Sequence, residues 1–234
     1  MKKIRIGQIG VCHEHAAGKI SALRKLSDVF EIVGVVDDRH TKAAKFAGSD
    51  LNPYEGLNWL TEEELFGVSG LQAVMVETPN ADLVPTAMRC MERHLAMHMD
   101  KPGGENMELF RTLREGCERS GLPFQMGYMF RTNPAIRFCQ RIVRENWLGD
   151  IFEVQASMSH DYGGEDYQRY LAHFRGGIMF NLGCHLIDFI LPLLGRPQMI
   201  VPFMKPTANA AGAACNNCLS ILEYPTAMVT LRAC

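Results

Sequence analysis

The chain has 234 residues, more than one typical domain holds, and its 47% hydrophobic content supplies apolar material for a sizeable core. A formal net charge of −2 with no Lys/Arg-rich stripe gives no reason to expect a polyanion partner, so nucleic acid is not expected. No stretch reaches the roughly 18 apolar residues that span a bilayer, and residues 4–11 are broken by Arg5, Gly7 and Gln8 with no cleavage site behind them.

Residues 4–9 form a short apolar run ending at Gly10, and a helical pattern through Ile20, Leu23 and Leu26 follows. A β-branched strand over 31–36 closes on Asp37 and Asp38. Thr61 and Glu64 have capping-box spacing, and a buried strand over 71–76 runs into Thr78, Pro79 and Asn80. The next helix carries Leu83, Val84, Ala87, Met88 and Met91 on one face, with Pro85 near the first turn, where its missing N–H costs little. A strand over 95–99 leads into Asp100, Lys101 and Pro102. Another helix bears Leu109, Phe110, Leu113 and Cys117, and a last strand covers 123–126. Strands separated by helices of this length predict a parallel, doubly wound sheet over residues 1–127.

Beyond residue 127 the rhythm changes. A helix over 135–145 precedes an alternating strand over 151–159, a loop rich in Gly, Tyr and Asp, and one helix over 178–194. Strand-like segments follow at 199–204, 215–223 and 227–231, and strands in succession predict an antiparallel sheet. The expected fold class is α/β: a doubly wound domain over 1–127, then an α+β domain over 128–234. The chain stops at Cys234 on the heels of a strand, whereas complete domains cover or blunt their edges, so the second sheet is expected to be unfinished. Eight scattered cysteines without a secretion signal read as reduced cytoplasmic thiols. Cys215 and Cys218 form a CxxC with no second ligand pair at matching spacing, so no metal is expected.

The first turn reads Gly10-Val11-Cys12-His13-Glu14-His15. A dinucleotide turn is glycine-rich because the chain turns tightly, the backbone approaches a pyrophosphate, and helix packs closely on strand. Gly10 holds the first glycine position; Cys12 and His15 stand at the second and third. Cys12 is small enough for close approach, and His13 or His15 could donate to a phosphate oxygen, the plainer alternative being a packed or solvent-facing imidazole. Asp37 ends the second strand, where a carboxylate accepts from ribose hydroxyls and repels a 2′-phosphate; this favours NAD over NADP, a helix cap being the alternative. Thr78, Pro79, Asn80 and Lys101 lie at the carboxyl ends of strands, where open α/β sheets bind ligands. Lys101 suits a proton relay from a substrate hydroxyl, although a Lys-Pro after a strand is commonly a surface lysine. Asn181, His185 and Asp188 can share one helix face, which makes His185 either a general acid–base or a core histidine satisfied by Asp188. His160, Tyr162 and His173 are candidate substrate contacts.

Four motifs in this order carry a resemblance: Ile6-Gly7-Gln8-Ile9-Gly10, Thr78-Pro79-Asn80, Asp100-Lys101-Pro102, and Gly176-Gly177 followed by Gly183, His185 and Asp188. Together they resemble the Gfo/Idh/MocA family (glucose–fructose oxidoreductase, inositol dehydrogenase and MocA) over nearly the whole chain. The resemblance implies a Rossmann domain, an α+β domain whose open sheet joins subunits into a homo-oligomer, and a tightly held nicotinamide cofactor. It also implies oxidation or reduction of a sugar, inositol or related polyol. Carried over, Lys101 is the catalytic lysine and His185 the catalytic histidine. Asn181 stands where many relatives have aspartate, offering geometry without charge. Arg131 and Pro134 fit the family's Arg-Phe-x-Pro segment, with Thr132 in place of Phe, and Arg131 is expected at the substrate. The expected function is an NAD-dependent dehydrogenase acting on a secondary hydroxyl. The alternatives are an NAD-recycling lyase or glycosidase on the same scaffold and a truncated, non-catalytic nucleotide-binding remnant.

Overall fold

The computed structural model describes residues 2–37, 52–161, 164–208 and 210–234. They form two compact units, Met1–Gly127 and Tyr128–Cys234. In the first unit the elements run β1 (Ile4–Ile9), α1 (Ala16–Lys25), β2 (Phe30–Val36), β3 (Trp59–Leu60), α2 (Glu62–Phe66), β4 (Ala73–Val76), α3 (Leu83–Glu92), β5 (Ala96–Met99), α4 (Met107–Ser120) and β6 (Phe124–Met126). The strands form one parallel sheet in the order β3-β2-β1-β4-β5-β6, so the chain reverses its direction of travel between β1 and β4. That reversal is the switch point at which doubly wound sheets bind ligands.

Local chemistry explains the boundaries. Thr61 caps α2 through the predicted box: its hydroxyl accepts from the Glu64 N–H at 3.2 Å, while the Glu64 carboxylate accepts from the Thr61 N–H at 2.7 Å. Asn106 caps α4 by accepting from the Leu109 N–H at 3.0 Å, and Gly121, left-handed at φ 62°, ends it. Leu83, Val84, Ala87 and Cys90 of α3 pack with Val74, Val76, Met97 and Leu113 in one core, while Ile20 and Leu23 of α1 pack with Ile6, Val35 and Met75 in another. Burying a side chain such as Leu83, fully enclosed, is worth about 1.5–3 kcal/mol. The two-residue β3 lacked any periodicity to announce it.

Register decides what the sheet presents. Ile9 lies opposite both Val36 and Val76, Val76 opposite Met99, and Met99 opposite Met126. The residues that follow, Gly10, Asp37, Glu77, Asp100 and Gly127, therefore form one row along the carboxyl edge.

The second unit contains α5 (Pro134–Arg144), β7 (Glu153–Met158), α6 (Glu165–Leu171), α7 (Gly177–Asn181), α8 (Cys184–Leu194), β8 (Met199–Lys205), β9 (Asn217–Glu223) and β10 (Met228–Ala233). Its sheet runs β7-β10-β9-β8. The expected antiparallel pairing holds for β8 with β9 and β9 with β10, but β10 lies parallel to β7, so the sheet is mixed. The long crossover through the intervening helices makes that parallel pairing possible. Helix α6 occupies part of what the sequence presents as a loop. The single helix expected over 178–194 is two. The N–H groups of Leu182 and Gly183 both reach the Ile178 carbonyl, and a Cβ at Gly183 would lie 2.2 Å from the Met179 sulfur. Glycine, a poor helix former, breaks the rod where that methionine needs room.

Candidate functional site

Gly10 sets the first turn. Its φ of 98° suits glycine, and a Cβ there would lie 2.4 Å from the Glu77 carbonyl, so β1 and β4 can approach only without a side chain. Inside β1, the fully buried Gln8 donates to the Gly10 carbonyl at 2.9 Å and to the Tyr54 hydroxyl at 3.1 Å, and Tyr54 packs on Trp59 with centroids 5.5 Å apart. The buried Gln8 amide thereby ties the turn to its surroundings.

The turn delivers two histidines to the row of strand ends. The His13 Nε2 contacts Asn80 Oδ1 at 3.1 Å, and its Nδ1 accepts from the His15 N–H at 3.2 Å. Donation from His13 to a phosphate would therefore cost the Asn80 bond. His15 Nδ1 lies 2.7 Å from Asp100 Oδ2. Asp100 Oδ1 accepts from the Lys101 N–H at 2.6 Å, which locks the acidic-Lys-Pro triplet in place. Glu77 is fully buried; its carboxylate lies 3.9 Å from Nδ1 of both His13 and His98, and Lys19 Nζ is 3.4 Å from His98 Nε2. Thr78, Asn80, Asp37 and Lys101 are also buried.

Electrostatics in this cluster follow from burial first. Burial pushes His13 down to about 4, with the charges of His15 and Lys101 acting the same way against Asp100. Burial and Lys19 push His98 down to about 4. Burial and the neighbouring Asp100 push Glu77 up to about 9. Burial also works against the charged form of Asp100, but the His15 hydrogen bond and the charges of His13, His15 and Lys19 outweigh it. Asp100 is thus held well below the usual carboxylate range. One carboxyl keeps its proton and its neighbour stays ionised, the division expected of two acids forced together.

Beside this cluster, Ile9, Val36, Thr78, Asp82, Thr86 and Arg89 are among the residues lining a cleft of about 440 Å³. Its rim is held by Arg89, which donates to both Glu62 oxygens at 2.5 and 2.8 Å.

In the second unit, His185 is buried, with the rings of Tyr128 at 5.8 Å and Phe130 at 5.4 Å. Asp188, on the same helix, is engaged by Arg131. The Asp188 carboxylate accepts from Arg131 Nε at 3.0 Å and from Nη2 at 2.5 Å, and the guanidinium lies over Tyr128. Arginine's fork matches a carboxylate's two oxygens, so the pair forms across elements. Asn181 donates to the Tyr167 hydroxyl at 2.5 Å. Gly177, at φ 47°, is needed because a Cβ would lie 2.2 Å from the Cys215 carbonyl, which accepts the Ile178 N–H. His160 is exposed after β7, its N–H bonded to the Cys234 carbonyl, and the exposed His173 ring contacts the Arg169 carbonyl. Tyr162 lies outside the described residues. Among the described residues Cys215 and Cys218 bracket the start of β9 and form no disulfide.

Sequence reasoning passed over Glu77, His98, Gln8 and Lys19. The signal for Glu77 was present: a carboxylate between an apolar strand and the Thr-Pro-Asn turn.

A parallel sheet in this order, with a glycine turn at the switch point and acids at successive strand ends, defines the Rossmann class of fold, joined here to a mixed-sheet unit. The family model described as the GFO/IDH/MocA C-terminal domain matches residues 136–234. Over that stretch the second unit is similar to the C-terminal domain of the Gfo/Idh/MocA family. It is 25% identical over 199 residues to glucose-6-phosphate 3-dehydrogenase of Bacillus subtilis, covering 81% of this chain and 53% of that protein. It is also 25% identical over 140 residues to scyllo-inositol 2-dehydrogenase (NADP(+)) of the same organism, covering 59% of this chain and 39% of that protein. The chain thus spans about half the length of the first of these relatives. Among solved structures, GenD2 from gentamicin A biosynthesis, in complex with NAD, superposes with a TM-score of 0.85 at 18% identity, covering 100% of this chain and 67% of that one.

Proposed function

We propose that the chain is the nicotinamide-binding and part of the substrate-binding portion of a dehydrogenase acting on a secondary hydroxyl of a sugar, inositol or related polyol. One observation carries the reading: Gly10, Asp37, Thr78, Asn80, Asp100 and Lys101 converge on the carboxyl edge of the sheet at its switch point. The pyrophosphate would lie at the turn of Gly10, Cys12 and His13, near the N-terminus of α1, and Asp37 would accept from the adenosine ribose. A carboxylate there repels a 2′-phosphate, which supports NAD over NADP. Of the proteins named above, the scyllo-inositol dehydrogenase carries NADP(+) in its name and GenD2 is a complex with NAD.

When bound, the nicotinamide supplies hydride chemistry. The chain's own residues manage the proton: Lys101, fixed by its backbone bond to Asp100, or His185 takes it from the substrate hydroxyl. Arg131, His160, Tyr162 and His173 are the proposed substrate contacts, and Asn181 steadies the region of His185. The exposed apolar side chains of Phe152, Met199, Phe203 and Met228 on and beside the mixed sheet suit a homo-oligomer contact. Among the described residues no helix is long and apolar enough to cross a membrane.

Fluorescence titration with NADH and NADPH, followed by a panel of polyols, tests the reading. Tighter NADH binding and NADH formation in step with polyol oxidation are expected. A folded protein that binds neither dinucleotide would overturn it. Turnover of a glycoside without net NADH would instead identify the recycling lyase or glycosidase.

A further inference from the structure

We propose that His13, His15 and Asp100 hold a zinc-class divalent cation at the first turn of the parallel sheet. One ligand atom from each lies within 4.8 Å of the other two. Tetrahedral ligands at zinc's bond lengths stand about 3.4 Å apart. The His13 Nδ1 to Asp100 Oδ2 separation is 3.4 Å, so that edge is already built. The His15 Nδ1 to Asp100 Oδ2 separation, 2.7 Å, is a hydrogen-bond length and opens by about 0.7 Å to admit the ion, His15 then carrying its proton on Nε2.

The surroundings prepare His13 for this role. Asn80 Oδ1, 3.1 Å from Nε2, accepts its N–H and leaves a bare lone pair on Nδ1, beside the carboxylate. An outer hydrogen bond that fixes the tautomer is the usual support of a metal-bound imidazole. Among the described residues that lone pair receives only the His15 N–H at 3.2 Å, a bond the cation would replace.

A second observation points the same way. Glu77 is fully enclosed, and neither of its oxygens finds a hydrogen-bond partner among the described residues. Yet Oε2 lies 3.9 Å from the same His13 Nδ1. At that distance the carboxyl can serve as an outer-shell partner beside a cation held on Nδ1.

Two imidazoles and one carboxylate suit zinc or cobalt better than magnesium or calcium, which favour all-oxygen shells. Three protein ligands leave a fourth position for an oxygen donor from solvent or substrate. The His15 side chain is 41% exposed, which keeps that position within reach of solvent. His15 also occupies the place that a dinucleotide turn gives to its third glycine. The inference does not depend on dinucleotide binding.

The test is zinc stoichiometry after chelator treatment and reloading, with Co2+ as a spectroscopic probe. The expected result is one ion per chain, with the intense visible bands of a low-coordinate cobalt site. His15→Ala should weaken affinity by at least about tenfold, and His94→Asn, at an exposed histidine of the same unit, should leave it unchanged. Circular dichroism checks that each variant is folded. Sub-stoichiometric metal, absent cobalt bands, or equal affinity in His15→Ala overturns the proposal. NADH titration of the same preparation separates the readings: retained NADH binding without metal removes this inference and leaves the proposed function standing.

Discussion

The strand-end cluster of the first unit and the His185 patch of the second use histidine in opposite ways. In the first unit, His13 and His98 are half-buried beside two carboxylates and two lysines, and the state of each group depends on its neighbours' charges. In the second, His185 lies against two aromatic rings, and the carboxylate on its own helix is committed to Arg131. The difference teaches that residues close in sequence need not form the chemical unit. Charge is concentrated where strand register forces unlike segments together, and shape dominates where a helix packs on rings.

The sharpest test of that contrast is Lys101→Met. Removing the ammonium should cut turnover by about 10²–10⁴ while NADH affinity changes little, read by steady-state kinetics beside fluorescence titration. Unchanged turnover would move the proton chemistry away from the strand ends. Next in size is Leu231→Ala, which opens the fully buried core of the second unit and should cost about 2–5 kcal/mol in urea unfolding. Gly10→Ala forces a side chain onto the Glu77 backbone at positive φ, at a cost of about 1–3 kcal/mol. NADH binding should weaken with it, whereas a purely structural turn would lose stability alone. Thr61→Ala, which removes one half of a reciprocal cap, should cost about 1 kcal/mol. Smallest is Asp188→Asn: its partner Arg131 is 61% exposed, so solvent screening limits the loss to about 1 kcal/mol or less. A larger effect would mean that the aromatic patch depends on this ion pair for its shape.

The alternation of strands and helices, the capping box and the glycine turn were legible because each rests on neighbours in sequence. The same is true of the Gly-Gly pair, whose second member meets Cys215 at close range. What escaped was decided across the chain. The union of Glu77, His98 and Asp100 with the first turn needs strand register, which one sequence does not display. The break between α7 and α8 depends on the space Met179 takes, and the pairing of Asp188 with Arg131 joins positions far apart. The parallel seating of β10 beside β7 is likewise a property of the whole crossover rather than of either strand.

The contact chain from Gly10 through Gln8 and Tyr54 to Trp59 makes the first turn optically visible from within. The sequence has two tryptophans, and the second, Trp147, belongs to the other unit. With Trp147 replaced by Phe, emission from Trp59 becomes a built-in gauge of whatever occupies the turn, nucleotide or ion, with no dye attached.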